Sequence, residues 1–374
     1  LNPDSLEITM LNLPKTIVWE NGRVKLINQK LLPHKLEYIE TDNWERVVKS
    51  IKDMEIRGAP AIGVAGAFAI ALFANKYDGE NLEKFMHDLE KVSKIVATAR
   101  PTAVNLSWAV ERVKNVAKTA TSVEEARRLI LDEALKIQRE DEEANRKIGE
   151  LGEPLIEDGD TVITVCNAGS LATSYWGTAT APLYVAKEKG KSFRVIALET
   201  RPYLQGARLT AWELSMAGID VVVATDNSIG ILAMKEKINL AITGADRITS
   251  IGYVANKLGT YPLALVSRVH NIPFYVAAPS SSFDLKARGP EDIEIEVRSP
   301  DEVVYIGNMR ITPENVKAIY YAFDINPAAT RYRYTHREGH NISALREEYK
   351  KNHWEKLNLK FRISRTLQNK RFKF

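Results

Sequence analysis

"TVITVCNAGSLATSYWGTATA" (residues 161–181) decides how the chain is read. Its first five residues are apolar or β-branched without alternation. The only cysteine of the chain, Cys166, follows at once, and small and hydroxylated residues come after it. Four later runs share the pattern: "FRVIALET" (193–200), "DVVVATD" (220–226), "LAITGAD" (240–246) and "PFYVAAP" (273–279). Each ends in a turn, usually followed by a helical stretch. Continuous apolarity over a short run marks a strand buried on both faces, hence a parallel sheet flanked by helices. The second half of the chain is therefore expected to be an α/β, Rossmann-like, doubly wound domain.

Upstream the period changes. Residues 16–40 read as two short strands around Asn21-Gly22, a strong hairpin signal. From Asn43 to about Glu150, apolar residues recur at i, i+3 and i+4 in five stretches, the mark of amphipathic helices. Ser122 followed by Glu125 has the capping-box spacing. Downstream of Pro327 the chain turns basic, with 13 Lys and Arg against 4 Asp and Glu. Three parts follow: a smaller N-terminal hairpin and helical domain over 1–150, a Rossmann-like catalytic domain over 151–326, and a basic C-terminal extension over 327–374.

Composition narrows the classes. A chain of 374 residues has room for about two domains. Its net charge of +4 is too small and evenly spread to imply nucleic acid. A single cysteine excludes an intrachain disulfide and a multi-cysteine metal site, and fits a reducing, cytoplasmic setting. The apolar run over 61–74 is too short to span a bilayer and reads as a core helix. No secretory leader is visible; Met10 is a candidate start besides Leu1. No G-x-G-x-x-G follows a strand and no P-loop motif occurs, so no cofactor is expected. His336 and His340 have helical ligand spacing, but Gly339 between them favours a solvated turn, and no metal site is expected.

In an open α/β sheet the ligand lies beyond the carboxyl ends of the strands. Those ends carry the unusual residues here. Cys166, Asn167, Gly169 and Ser170 follow the first run; Glu199, Thr200, Arg201, Gln205 and Arg208 follow the second. Asp226 and Asn227 follow the third, and Gly244, Asp246 and Arg247 the fourth, with Asn256 and Lys257 ten residues on. A core has no use for this set, because each buried polar group left unpaired costs roughly 1–3 kcal/mol. In the helical half, Arg57 and Gly58 stand just before Pro60 and a helix, and Arg100 precedes Pro101 and another. Both arrangements suit an anion at a helix start.

The motifs "MEIRGAPAIGVAGA", "TARPTAVNL", "CNAGSLAT", "ETRPYLQGARLTAWEL", "GADRI" and "VANKLGTYPLAL" together resemble the methylthioribose-1-phosphate isomerase family, from about residue 16 to 327. Its superfamily also holds ribose-1,5-bisphosphate isomerase and regulatory subunits of a translation-initiation exchange factor. The resemblance implies catalytic roles for Cys166 and Asp246, substrate contacts at Arg57, Gly58, Ala59, Arg100, Gln205, Asn256 and Lys257, and a homodimer. The tail departs from the family's pattern and touches none of these motifs.

The implied substrate is a sugar phosphate whose anomeric carbon carries the phosphate. The ring must open before an aldose can become a ketose. A carboxylic acid, its pKa raised in a dry apolar pocket, can protonate the ring oxygen, and Asp246 is assigned that role. Cys166 would assist hydrogen transfer from C2 to C1. If "AGSLATSYW" opens a helix, the thiol sits ahead of its positive end. Tyr175 or Trp176 is a candidate wall for the methylthio group. The rival readings are ribose-1,5-bisphosphate isomerase and a non-catalytic exchange-factor subunit. Interleaved Arg, Lys, Tyr and Phe in the tail suit RNA, but a solvated or oligomer-packing extension is preferred.

Overall fold

The computed structural model describes residues 11–100 and 103–327, together with the backbone of 333–335. Met10, Pro101, His336, His340 and the rest of the basic tail lie outside the described residues.

The chain opens with β1 (Ile17–Glu20) and β2 (Arg23–Ile27), antiparallel and joined by Asn21-Gly22. Both turn residues have positive φ, 50° and 76°, as a two-residue turn between twisted strands requires. A third strand, β3 (Tyr38–Thr41), pairs with β2, which the two-strand expectation missed. Helices α1 (Trp44–Lys52), α2 (Ala59–Lys76), α3 (Leu82–Ala97), α4 (Val104–Ala117) and α5 (Val123–Gly152) follow.

α2 is buried on nearly every side in a core with Phe85, Leu89, Leu106 and Ile130. This explains its lack of a polar face. Each fully buried Ile or Leu there contributes roughly 1.5–3 kcal/mol. At 18 residues α2 is longer than the run that marks it. Length and composition alone would let it cross a membrane, but 72% of it is buried inside the protein. Gly66 sets its distance to α4, since a Cβ there would stand 2.4 Å from Leu106 Cδ1. Ser122 caps α5 through the Glu125 N–H at 3.1 Å. The reciprocal half of the capping box is displaced by one residue: Glu125 accepts from the Thr121 N–H and hydroxyl.

α5 is long enough to carry both halves. Ile130 and Ala134 lie in the helical core, whereas Ile148 joins the core under the sheet. The sheet then forms from β4 (Thr161–Thr164), β5 (Arg194–Leu198), β6 (Asp220–Ala224), β7 (Leu240–Thr243) and, after two short strands described below, β10 (Phe274–Ala277). All pairings are parallel. A sixth strand, Arg333–Thr335, pairs parallel with β10, so part of the expected extension belongs to the sheet.

Alternate strand residues feed two cores. Val162, Val195 and Tyr275 pack on α5, α6 (Ala181–Glu188) and α7 (Ala211–Met216). Ile163, Ile196 and Val276 pack on α8 (Ile229–Lys235) and α9 (Thr260–Val269). The sheet is thus doubly wound. β6 is the exception to two-sided burial: it is the edge strand, and Val222 and Val223 are exposed.

Candidate active site

Numbered by appearance, the six parallel strands lie in the order 3-2-1-4-5-6. The switch point, where successive connections turn to opposite sides, falls between β4 and β7, and ligands bind beyond the strand ends there. Cys166 lies two residues past β4 and Asp246 three residues past β7. Both line one cavity of about 170 Å³. Arg57, Gly58, Ala59, Arg100, Gln205, Asn256 and Lys257 line it too. All nine residues that the family resemblance names meet there. Of the other strand-end residues, Asn167, Gly244 and Arg247 line the cavity too, whereas Gly169, Ser170, Glu199, Thr200, Arg201, Arg208, Asp226 and Asn227 do not.

The thiol side is closely built. Cys166 is 7% exposed, and its Sγ accepts from Gln205 Nε2 at 3.5 Å. Gln205 Oε1 is buried with no hydrogen-bond partner among the described residues, which leaves an acceptor for a ligand hydroxyl. The loop after Cys166 does not open a regular helix. Ser170–Ala172 makes one 3₁₀ turn and α6 starts only at Ala181. The helix-dipole expectation for the thiol therefore fails. The cation beside the thiol is Lys257: burial lowers its pKa, and Cys166 and Asp246 oppose that shift.

Glu213, fully buried on α7, holds this loop by accepting from the Ser170 and Leu171 N–H groups at 3.2 and 3.1 Å. Burial raises its pKa, and the loop N–H groups and Arg57 draw it back. Asn167 reaches the other way. Its Oδ1 accepts from Arg57 Nη1 at 2.6 Å and its backbone oxygen from Nη2 at 3.1 Å. Arg57 is thereby fixed across the two halves. Gly58 permits the contact, with φ +91° and no room for a Cβ, which would meet the Ala172 backbone at 2.3 Å.

The first turn of α2 (Ala59, Pro60, Ile62) and the start of α4 (Ala103, Val104, Asn105) both face the cavity. Two helix N-termini with Arg57 and Arg100 make a strong anion site. Burial lowers the Arg100 pKa, with Glu296 and Asp246 opposing.

The acid side differs. β8 (Arg247–Thr249) and β9 (Val254–Lys257) form an antiparallel pair in a separate small sheet. The Asp246 N–H donates to Ala255 O at 2.9 Å. β9 carries Asn256, which donates to Thr260 Oγ1 at 2.9 Å, and Lys257, whose Nζ lies 4.3 Å from the Phe323 ring centroid. Asp246 lines the cavity, and its exposed surface faces that space. Burial raises its carboxyl pKa, and Lys257, Arg57 and Arg100 pull it back.

The sequence reading missed a wall formed by residues 293–296 with Arg298 and Tyr320. The alternation in "IEIEVR" was the available signal, but it follows no parallel strand. Tyr175 and Trp176 do not line the cavity; they are buried against Tyr184 in the sheet core. Among the described residues, no group of three or more His, Cys, Asp and Glu is placed to hold a metal ion.

The sequence pattern of the "Initiation factor 2 subunit family" matches residues 55–330. A methylthioribose-1-phosphate isomerase of Geobacillus thermodenitrificans is 48% identical over 315 residues, 84% of this chain and 89% of that one. This chain belongs to the initiation factor 2 subunit family, on its methylthioribose-1-phosphate isomerase branch. Among solved structures, the 5-methylthioribose 1-phosphate isomerase of Pyrococcus horikoshii superposes with a TM-score of 0.83 at 41% identity, covering 87% of this chain and 92% of that one. A structure from A. fulgidus described as translation initiation factor eIF-2B, subunit delta, has a TM-score of 0.80 at 47% identity, covering 86% and 94%.

Proposed function

We propose that the protein is an aldose–ketose isomerase that converts 5-methylthioribose 1-phosphate to 5-methylthioribulose 1-phosphate in methionine salvage. The reading rests on the isomerase relatives and on one observation: a thiol and a carboxyl flank the switch point, in a cavity whose opposite wall is two helix starts and two arginines.

Arg57, Arg100 and the first amides of α2 hold the phosphate; Arg offers it a planar fork that Lys cannot. Asp246, protonated, gives its proton to the ring oxygen as the C1–O bond breaks, and the phosphate oxygen stabilises the positive charge at C1. Hydrogen then moves from C2 to C1. In one route the Cys166 thiolate removes the C2 proton, the C–H electrons form a C1–C2 double bond, and C1 is reprotonated as the C2 hydroxyl becomes a carbonyl. In the other, hydride passes directly while Cys166 and Gln205 stabilise the developing charge. Solvent deuterium at C1 of the product would favour the first route. Lys257 and Asn256 orient the sugar.

Turnover of the methylthio sugar phosphate by wild type, Cys166→Ser and Asp246→Asn tests the reading. Each variant is expected to lose about 10²–10⁴-fold in kcat while keeping its fold by circular dichroism. Turnover of ribose 1,5-bisphosphate alone would reassign the substrate. The description of the A. fulgidus relative supports a second reading, a non-catalytic initiation-factor subunit. That reading predicts no turnover of either sugar and indifference to Cys166→Ser. A cytoplasmic homodimer belongs to the same proposal; exposed Val222, Val223, Ile231 and Met234 offer an apolar face for it.

A further inference from the structure

Cys166 has φ +70°, a left-handed backbone that costs any residue with a Cβ. Such a conformation persists only where its surroundings impose it, and here both of its peptide groups are held by buried hydroxyls. The Cys166 N–H donates to Thr200 Oγ1 at 2.8 Å, and that hydroxyl gives its own proton to Leu198 O at 3.0 Å. The Cys166 carbonyl accepts from Thr210 Oγ1 at 2.6 Å, and Thr210 Oγ1 in turn accepts from Asn167 Nδ2 at 3.2 Å. Each hydroxyl spends its single proton, so neither can turn without breaking two bonds.

The two threonines are 0% and 1% exposed, so bulk water cannot take their place. Thr200 itself has φ +61°. Thr210 ends a π-helical turn, Gly206–Thr210, that presses on β5; a Cβ at Gly206 would stand 1.7 Å from Leu198 O. By fixing Asn167 Nδ2, Thr210 also aims Asn167 Oδ1 at Arg57. One hydroxyl thus serves both the thiol and the anion end of the cavity.

We propose that Thr200 and Thr210 are positioning residues that lock the strained Cys166 backbone and so present its thiol to the cavity. This rests on the isomerase reading only for turnover, because the geometry can be read without substrate. Cys166 is the sole thiol in the chain, so the rate of its alkylation by iodoacetamide against pH reports its presentation alone. Thr200→Val and Thr210→Val keep the side-chain shape and delete the hydroxyl. Each should slow alkylation at least tenfold at pH 8 and lower kcat by at least tenfold, and Thr210→Val should also raise KM through Arg57. Thr200→Ser and Thr210→Ser should recover to within threefold of wild type.

Strain has its own readout, which serves even if the Val variants do not fold: Cys166→Gly should melt above Cys166→Ala, the reverse of the usual order. Val variants that alkylate at the wild-type rate, Ser variants that fail as badly as Val, or Cys166→Ala melting above Cys166→Gly would each overturn the proposal. Wild-type protein that turns over neither sugar, with Ser variants that still recover alkylation, would overturn the isomerase reading and leave the positioning role standing.

Discussion

The two strands at the switch point end in different ways. Beyond β4 the chain is buried and conformationally strained, and polar side chains from elsewhere hold it: Gln205 on the sulfur, Glu213 on the following turn, Asn167 between that turn and Arg57. Beyond β7 the chain is supported mainly by backbone, through the Asp246 N–H on β9, and its carboxyl faces the cavity. A reactive thiol on a left-handed residue needs an enclosing scaffold. A carboxyl meant to give up a proton and take it back needs access and a modest push on its pKa. The site therefore joins a rigid half to an accessible one.

The largest expected effect sets the two loops against each other. Gly169 has an ordinary extended φ of −104°, so its constraint is space alone. A Cβ there would lie 1.4 Å from Glu213 Oε1, inside a buried carboxylate that holds two N–H groups. Gly169→Ala is expected to cost more than about 4 kcal/mol, or to prevent folding. At Gly244, the first residue past β7, a Cβ would meet the Ala168 methyl at 2.6 Å and the Thr178 hydroxyl at 3.2 Å. Gly244→Ala should cost about 1–3 kcal/mol, an overpacking penalty that small shifts absorb. Denaturant titration of both variants decides, and equal losses would erase the contrast.

The accessible half predicts a pH dependence. In the proposed mechanism Asp246 is the acid, so only its protonated form opens the ring. Burial raises its pKa above the ordinary carboxylate value, and a bound phosphate dianion nearby raises it further. The rate should therefore fall as pH rises through that raised pKa, up to tenfold per unit. Asp246→Asn should lose that limb along with most of its turnover. A kcat profile whose alkaline limb survives in Asp246→Asn would assign the acid elsewhere.

How much of this the sequence showed follows from the kind of information each feature carries. Continuous apolar runs name a parallel sheet because two-sided burial is a local property of a strand. Strand-end residues name the cavity because a doubly wound sheet gathers them. β6 failed the rule since edge position depends on strand order, which no run encodes. Tyr175 and Trp176 were offered as a substrate wall because they follow the thiol closely; the turn after Ser170 buries both instead. The wall over residues 293–296 lies on no strand end, and nothing in the sequence aims it at the cavity. Gly169 was visible as a turn residue, but its real constraint is Glu213, 44 positions downstream.

The smallest expected effect asks whether the rigid half stays rigid across pH. Asp141 on α5 accepts from the Ser174 N–H at 2.7 Å and from Asn145 Nδ2 at 3.1 Å, beneath the thiol loop. Burial pushes its pKa up to about 6, only partly offset by those bonds, and neighbouring Glu142 adds to the rise. The folded state thus binds this proton more tightly than the unfolded chain does. Its stabilising contribution is full below the ordinary carboxylate pKa and is lost as pH climbs through about 6. Asp141→Asn keeps an oxygen for Ser174 and cannot titrate. Relative to wild type, its stability should improve between pH 4 and pH 7 by about 1–3 kcal/mol, read from denaturant midpoints. A difference that stays flat over that range would mean that Asp141 keeps its charge, and that the loop carrying Cys166 is anchored by an ion at every working pH.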